Sequence, residues 1–316
     1  MAAGGSKKVV YAAVGGNFAI AITKFIASAM TGSSAMLSEG IHSLVDTGNG
    51  LLLLWGIRQS GKPADKEHPF GYGKELYFWT LIVAILIFAV GGGISLYEGI
   101  IHLQHPARLG DPTINYLVLG LAMLFEGWAW TVAFREFRKR KQAGVGYLRA
   151  VRASKDPTTF TVLFEDTAAM LGLIVAFVGV FLGHTLQQPW FDGAASVLIG
   201  LILAGTAIFL AYESKGLLIG EAVAPQTRAD ITRACEAEPP VKRLVRALSM
   251  HLGPDDVLLT LEIEFQRGLP AEETTAAIER LDRTIRGEHP EIRHIFVEAQ
   301  SVSPSSRPAS QDAPRE

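Results

Sequence analysis

Histidine and carboxylate side chains lie within stretches of this sequence that are otherwise apolar. His42 and Asp46 are four residues apart, so a helix would present both on one face. Asp166 lies in a second apolar stretch, directly after Glu165. Imidazole and carboxylate groups together suit a borderline divalent ion such as Zn²⁺, so these residues predict a metal site between helices. The alternative for so short a motif is a histidine–aspartate pair that satisfies its own hydrogen bonds inside a helix bundle.

The elements that would carry this site have the length of bilayer-spanning helices, about 20 residues each. The 316-residue chain is 49% hydrophobic with a mean hydropathy of +0.26, and its 19% of charged residues is below the roughly 25% typical of soluble domains. Six apolar stretches are present: Val9–Met30, Ser34–Ile57, Tyr77–His102, Thr113–Phe134, Thr159–Leu182 and Trp190–Leu218. Ionisable residues inside such stretches are costly and face a partner or a cavity. The sequence therefore predicts an integral membrane protein with its metal site inside the bilayer.

Other charged residues in these stretches are expected to have structural roles. Lys24 is expected to extend toward water along its stem, or to pair with Glu126 in the fourth stretch. Glu39 lies near the outer end of the second stretch and is expected to be hydrated. Asp192 begins the sixth stretch, where a carboxylate favours the positive N-terminus of a helix.

Composition excludes several classes of function. The formal net charge is −2, from 29 Lys and Arg against 31 Asp and Glu, so no nucleic-acid partner is expected. The single cysteine, Cys235, excludes a disulfide framework and a multi-cysteine zinc module. The Walker motif of ATP-driven pumps is absent from the sequence. An ATP-driven pump is therefore not expected.

Lysine and arginine are distributed unevenly among the connecting segments. With the N-terminus inside, the inner segments contain fourteen Lys and Arg residues and the outer segments contain only Arg108. Because positively charged loops stay on the cytoplasmic side, both termini are predicted to be cytoplasmic, in the cell (inner) membrane if the source is bacterial. The basic run over residues 135–141 is interpreted as part of this topology signal.

Residues 221–300 have the composition of a small soluble α+β domain. Helices are predicted over 227–238 and 271–286, and strands over 241–251 and 292–297. Between them, apolar residues alternate with more polar ones in the period of a half-buried strand, at Val257, Leu259, Leu261, Ile263 and Phe265. The predicted organisation is a transmembrane domain of residues 1–220, a cytoplasmic α+β domain of residues 221–300, and a disordered tail of residues 301–316.

Two motifs resemble the cation diffusion facilitator family of zinc and other divalent-metal transporters. Residues 32–46, GSSAMLSEGIHSLVD, are similar to the signature of the family's second helix, and residues 65–74, DKEHPFGYGK, to the loop that follows it. Residues 163–169, LFEDTAA, most resemble the branch that includes vertebrate zinc transporter nine. The resemblance covers about residues 8–300. It implies an all-α six-helix membrane transporter domain with a C-terminal cytoplasmic α+β domain, ferredoxin-like or metallochaperone-like, in a homodimer.

The central site departs from the family pattern at one position. Members with a four-residue site usually have His or Asp four residues before the aspartate of the fifth helix, and that position is Val162 here. The expected protein ligands are therefore His42, Asp46 and Asp166. The fourth position is left to water, to Asn17 of the first helix, or to Glu165 after local unwinding, because adjacent helix positions diverge by about 100°.

Two further metal sites of the family are incomplete in this sequence. In the loop, Asp65 and His68 match metal-binding positions, but Tyr72 replaces a frequent second histidine. In the C-terminal domain, Glu262 occupies a ligand position of some members, whereas His251, His289 and His294 are dispersed and expected at the surface. The domain is expected to dimerise without a binuclear metal centre.

The expected function is efflux of a divalent cation, foremost Zn²⁺, by alternating access and in exchange for protons. Metal binding needs neutral histidine and ionised aspartate, so protons and metal compete for the same lone pairs. Alternatives are an exporter selective for Mn²⁺, Fe²⁺, Co²⁺ or Ni²⁺, a membrane-embedded metalloenzyme with Glu165 as base, and a non-transporting metal sensor. The expected partners are metal ions, protons, the lipid bilayer and a second copy of the chain, with no cofactor and no enzyme activity.

Overall fold

The computed structural model describes residues 3–106, 111–140, 146 and 155–300. The chain forms two compact units, one of Met1–Gly220 with Leu252–Pro254 and one of Glu221–His251 with Asp255–Glu316. The tail predicted over residues 301–316 lies outside the described residues.

The first unit consists of long helices, and each of the six predicted apolar stretches falls within one of them. They are α1 (Ala3–Thr31), α2 (Ser34–Ser60), α3 (Glu75–Gln104), α4 (Thr113–Arg140), α5 (Pro157–Thr185) and α6 (Trp190–Ile219). Local sequence fixes several ends: Asp156 caps α5 ahead of Pro157, and α6 ends at Gly220, whose φ of 116° suits glycine. Of these six helices, five are long and apolar enough to cross a membrane, and α2 is the exception in the part of the chain that the structure describes.

Helix α2 differs because its buried face is polar. This face includes the residues Ser34, Ser38, Glu39, His42, Ser43, Thr47 and Asn49. The helix packs against α1, α3, α5 and α6, so these groups face protein rather than lipid. Polar side chains on the interior face of a bundle are typical of ion pathways.

The N-terminus of α2 is held by a carboxylate from another helix. Asp192, in the first turn of α6, accepts hydrogen bonds from the backbone N–H groups of Ser34 and Ala35. It also accepts from the hydroxyls of Ser33 and Ser34. The predicted preference of Asp192 for a helix N-terminus is met at α2 as well as at α6.

Helices α3 and α6 approach each other through glycines. A Cβ atom at Gly99 would come within 2.6 Å of the backbone nitrogen of Val197, and one at Gly200 within 2.8 Å of the nitrogen of Leu96. Small residues allow membrane helices such close backbone contact. Helix α3 also contains a π-helical turn at Ile87–Gly92, which packs on α6.

The second unit is an α+β domain. It contains α7 (Pro225–Ala237), β1 (Val241–Gly253), β2 (Asp256–Phe265), α8 (Ala271–Glu288) and β3 (Ile292–Gln300). The strand order is β1-β2-β3, and β2 pairs in parallel with β3 across the α8 crossover. The alternating apolar residues of β2 pack with Ile231 of α7 and Leu281 of α8. The predicted helix–strand–strand–helix–strand order is confirmed.

The polar face of β2 is more buried than its half-buried pattern predicts. Glu262 and Glu264 are both buried, because basic side chains of β1 cover them. Glu264 accepts from Lys242 at 2.7 Å and from Arg243 at 2.6 Å, and Arg246 donates to Glu262 at 3.1 Å. The hydrogen bonds from Lys242 and Arg243 lower the pKa of Glu264.

Candidate metal centre

Helix α2 brings His42 and Asp46 together inside the bundle. Nδ1 of His42 lies 3.3 Å from Oδ1 of Asp46, and the side chains are 2% and 13% exposed. Among the described residues, neither ring nitrogen of His42 has a hydrogen-bond partner, and neither does Oδ1 of Asp46. The alternative to a metal site requires His42 and Asp46 to satisfy each other's hydrogen bonds. These unpartnered atoms show that they do not. Buried donors and acceptors without partners are rare, and these are suited to binding an ion.

Three more carboxylates lie within electrostatic range of this pair. Asp46 interacts through its charge with Glu165 and Asp166 of α5 and with Glu126 of α4. Mutual repulsion among these groups would be relieved by a cation. In the part of the chain that the structure describes, however, no three His, Cys, Asp or Glu side chains are already arranged to hold a metal ion. His42 and Asp46 are therefore in contact, whereas Asp166 is not yet positioned with them to bind a common ion.

The two candidates for a fourth ligand have different surroundings. Glu165 is 8% exposed and accepts a hydrogen bond from Nδ2 of Asn49, on α2, at 2.8 Å. Asn17 is half-buried on α1. Val162, at the position where other members supply a ligand, is 40% exposed.

The predicted surroundings of Lys24 and Glu39 are wrong. The two side chains are fully buried and form an ion pair between α1 and α2, with Nζ of Lys24 3.0 Å from Oε2 of Glu39. Lys24 also donates to the hydroxyl of Ser43 at 2.8 Å. Lys24 therefore neither extends toward water nor bonds Glu126, because Glu39 lies directly opposite it and is itself shielded from water.

The loop after α2 is held by Asp65. Its Oδ1 accepts from the backbone N–H groups of Glu67 and His68, and its Oδ2 accepts from the Tyr72 hydroxyl at 2.7 Å. These bonds lower the pKa of Asp65, and the same carboxylate raises the pKa of Tyr72 to about 12. Nδ1 of His68 lies 3.6 Å from Asp65. The hydroxyl of Tyr72 thus donates to the Asp65 carboxylate, which would otherwise be the metal ligand of the loop site.

The histidines of the C-terminal domain are dispersed, as predicted. His289 lies between Asp230, at 3.6 Å, and Glu291, at 3.3 Å. His294 lies 3.3 Å from Asp256. The expectation that all three are surface residues is wrong for His251, which is only 5% exposed because the end of β1 is buried.

Comparison with known proteins identifies the family to which this arrangement belongs. Residues 10–219 match the cation efflux transmembrane domain. The chain belongs to the cation diffusion facilitator, or cation efflux, family.

Three named proteins are similar to this chain over most of its length. It is 35% identical to the "Proton-coupled zinc antiporter SLC30A9, mitochondrial" of Xenopus laevis, over 83% of this chain and 47% of that protein. It is 30% identical to "Metal tolerance protein C4" of Arabidopsis thaliana, over 82% and 57%. It is 25% identical to "Magnetosome protein MamM" of Magnetospirillum gryphiswaldense, over 93% and 88%. The chain spans about half the length of its SLC30A9 relatives.

These likenesses confirm the predicted family and its zinc transporter nine branch. They indicate a transporter rather than an enzyme. Among solved structures, the nickel form of a MamM C-terminal domain variant matches 25% of this chain and all of its own, at 18% identity and a TM-score of 0.24.

The sequence reasoning missed one member of the polar cluster of this cation diffusion facilitator. Asn49 was not a candidate, although it lies three residues after Asp46 and seven after His42, the spacing that places all three on one face of α2. Its partner Glu165 was a candidate fourth metal ligand only if the fifth helix unwound locally. In the structure Glu165 lies in the regular helix α5 and still reaches α2.

Proposed function

We propose that this protein exports divalent metal cations, foremost Zn²⁺, in exchange for protons, with His42, Asp46 and Asp166 as ligands. The observation that carries the proposal is the buried pair of His42 and Asp46, whose unpartnered atoms lie within electrostatic range of three further carboxylates. Membership of a metal-transporter family, with zinc antiporters among the similar proteins, supports the choice of ion.

The proposed exchange follows from the chemistry of the ligands. A metal ion needs the lone pairs of neutral imidazole and ionised carboxylates, and protons occupy the same atoms. A site that opens alternately to each side of the membrane would therefore release metal where protons are abundant. Binding energy and the proton gradient drive this cycle without ATP hydrolysis.

The proposed organisation is a homodimer in the cell (inner) membrane if the source is bacterial, with both termini in the cytoplasm. Residues 1–220 form the transport domain and residues 221–300 the cytoplasmic domain, which mediates dimerisation. Helices α1, α2, α4 and α5 form the transport bundle, and α3 and α6 lie near the dimer axis. The outward ends of the helices are those at Asp192 and at the start of α2.

Flux into proteoliposomes tests the ligand assignment. Purified wild type, Asp46→Asn and Asp166→Asn are reconstituted separately into vesicles from one lipid preparation. Uptake of Zn²⁺, Mn²⁺, Fe²⁺, Co²⁺, Ni²⁺ and Cd²⁺ is then compared. Both variants are expected to lose transport, because too few charges remain to offset dehydration of the ion. Glu98→Gln is the matched control, since Glu98 is a half-buried acid of α3 next to His102 and outside the cluster. Full flux in either aspartate variant would refute the assignment.

Proton exchange is tested by the pH dependence of the initial rate. Protons and metal compete for the lone pairs of His42, so a His42→Asn variant that still transports is expected to show a flatter dependence of the initial rate on pH. The measurement is made with and without an imposed proton gradient. Identical slopes in wild type and variant would assign proton exchange to the carboxylates instead.

A further inference from the structure

The buried Glu165 carboxylate forms a hydrogen bond with Asn49 but has no positively charged partner among the described residues. Asn49 is fully buried and Glu165 is 8% exposed, and their hydrogen bond is 2.8 Å long. Among the described residues, no basic side chain forms an ion pair with Glu165, and Oδ1 of Asn49 has no hydrogen-bond partner. A buried ionised carboxylate supported by one neutral amide is unfavourable unless a bound proton or a metal cation neutralises its charge.

This contact adjoins the proposed metal ligands from two helices. On α2, Asn49 follows Asp46 by three residues and shares its face. On α5, Glu165 precedes Asp166. Among the carboxylates that interact with Asp46 through their charge, Glu165 has the strongest effect. The carboxylate that acts most strongly on Asp46 is therefore held by a single neutral amide.

We propose, on the basis of the proposed function, that Glu165 is a metal ligand and that Asn49 is its positioning residue. In the metal-free state the amide of Asn49 holds the Glu165 carboxylate at the boundary of α2 and α5. When the ion enters, the Glu165 carboxylate turns from the amide to the metal. It thereby provides the ligand that Val162 cannot provide. The resulting ligand set has one imidazole and three carboxylates.

This ligand set sets the class of ion that the site accepts. Carboxylate oxygens suit Mn²⁺, whereas imidazole suits Zn²⁺. A third carboxylate broadens binding from Zn²⁺ toward harder ions such as Mn²⁺. Glu165 is thus a determinant of selectivity, and removing it should affect the two metals unequally.

The test measures the affinities of the purified full-length protein for Zn²⁺ and for Mn²⁺ separately, by calorimetry, in wild type and Glu165→Gln. The glutamine can still accept the hydrogen bond from Asn49 and has nearly the same volume. We expect Mn²⁺ affinity to fall about 100-fold and Zn²⁺ affinity about 10-fold, within the range seen when the ligand environment is altered. The Zn²⁺ preference would then rise about 10-fold. An equal loss for both metals, or no loss, would overturn the proposal.

Two more variants separate ligation from a structural role. Glu165→Asp keeps the carboxylate on a shorter stem, so it should weaken both metals while the Zn²⁺-to-Mn²⁺ ratio stays near that of wild type. Asn49→Leu preserves volume without the amide and should weaken both metals about 10-fold. If Glu165→Gln does not fold, Glu165→Asp alone decides the test. A change of about 10-fold in its ratio of Zn²⁺ affinity to Mn²⁺ affinity would overturn the proposal.

Thr80→Val is the matched control for these variants. Thr80 is buried on α3, outside the polar face of α2, and its hydroxyl donates to the backbone oxygen of Leu76, so neither affinity should change. A wild type that binds and transports none of the metals would refute the proposed function itself. A competent wild type with unaffected Glu165→Gln would refute only the role of Glu165.

Discussion

The Lys24–Glu39 ion pair allows a quantitative test of how this bundle holds charge inside a membrane. Both side chains are fully buried, and Nζ lies 3.0 Å from Oε2. Removing one partner of a buried ion pair costs about 3–5 kcal/mol, because the remaining charge is left uncompensated. Oε1 of Glu39 also occupies the space that a Cβ atom at Gly172 would take, so the pair packs directly against α5. Lys24→Met and Glu39→Gln are each expected to lower the free energy of unfolding by about 3 kcal/mol or more.

The double variant Lys24→Met/Glu39→Gln removes both charges and is expected to lose much less than the sum of the single losses. Hydrogen bonds between membrane helices couple by about 0.6 kcal/mol on average and by about 1.7 kcal/mol at most. A coupling energy above about 1.7 kcal/mol would therefore identify a charge interaction. It is measured from reversible unfolding of the four proteins of the cycle in mixed micelles, titrated with denaturing detergent.

Thr23→Val is the control for this cycle. Thr23 is exposed beside Lys24, and its hydroxyl donates to the backbone oxygen of Ile20, so the free energy of unfolding should change by less than about 0.5 kcal/mol. Single losses that simply add in the double variant would refute the reasoning, since they would mean that the two charges are compensated separately.

Three further changes test the incomplete sites and the C-terminal domain. Val162→His places an imidazole four residues before Asp166 and should raise Zn²⁺ affinity in a dye-competition assay; unchanged affinity in the folded variant would place position 162 away from the ion. Tyr72→His removes the hydroxyl that bonds Asp65 and should add a Zn²⁺ equivalent to the loop, detected by metal titration; an unchanged stoichiometry would contradict this. The lowered pKa of Glu264 means that its ion pairs stabilise the fold above the ordinary glutamate pKa of about 4.3 and are lost as pH falls through the lowered value. The stability of Glu264→Gln should therefore fall less than that of wild type on acidification, as followed by thermal unfolding, and parallel curves would contradict the assignment.

Periodicity and length were sufficient to predict the elements of this fold. All six apolar stretches lie within helices, and the strands of the C-terminal domain follow their apolar alternation, because both patterns are local properties of the sequence. The end of β1 is an exception: His251 has no local signal of burial, and only its tertiary neighbours exclude it from solvent.

The candidate site was only partly predictable, since its contacts cross between helices. The spacing of His42 and Asp46 gave their shared face, because both belong to one helix. The partners of Lys24 and Glu165 depend on how α1 and α5 are rotated against α2, which no single-helix pattern specifies. A stripe analysis of α2 would have included Asn49, but only the packed structure shows that it bonds Glu165.

The close contact of α3 and α6 has a consequence for how this sequence can change over generations. At Gly99 and Gly200 the facing backbone leaves no volume for even one methyl group, and no rotation of a side chain can relieve the collision. A substitution there cannot be compensated by a second one nearby, because the obstacle is the main chain itself. Exposed apolar positions such as Leu121 of α4 and Leu201 of α6 have no such backbone obstacle and should tolerate other hydrophobic residues. Genetic drift should therefore accumulate on the outer surface of these helices, while the glycines between α3 and α6 stay fixed even in lineages whose transported ion has changed.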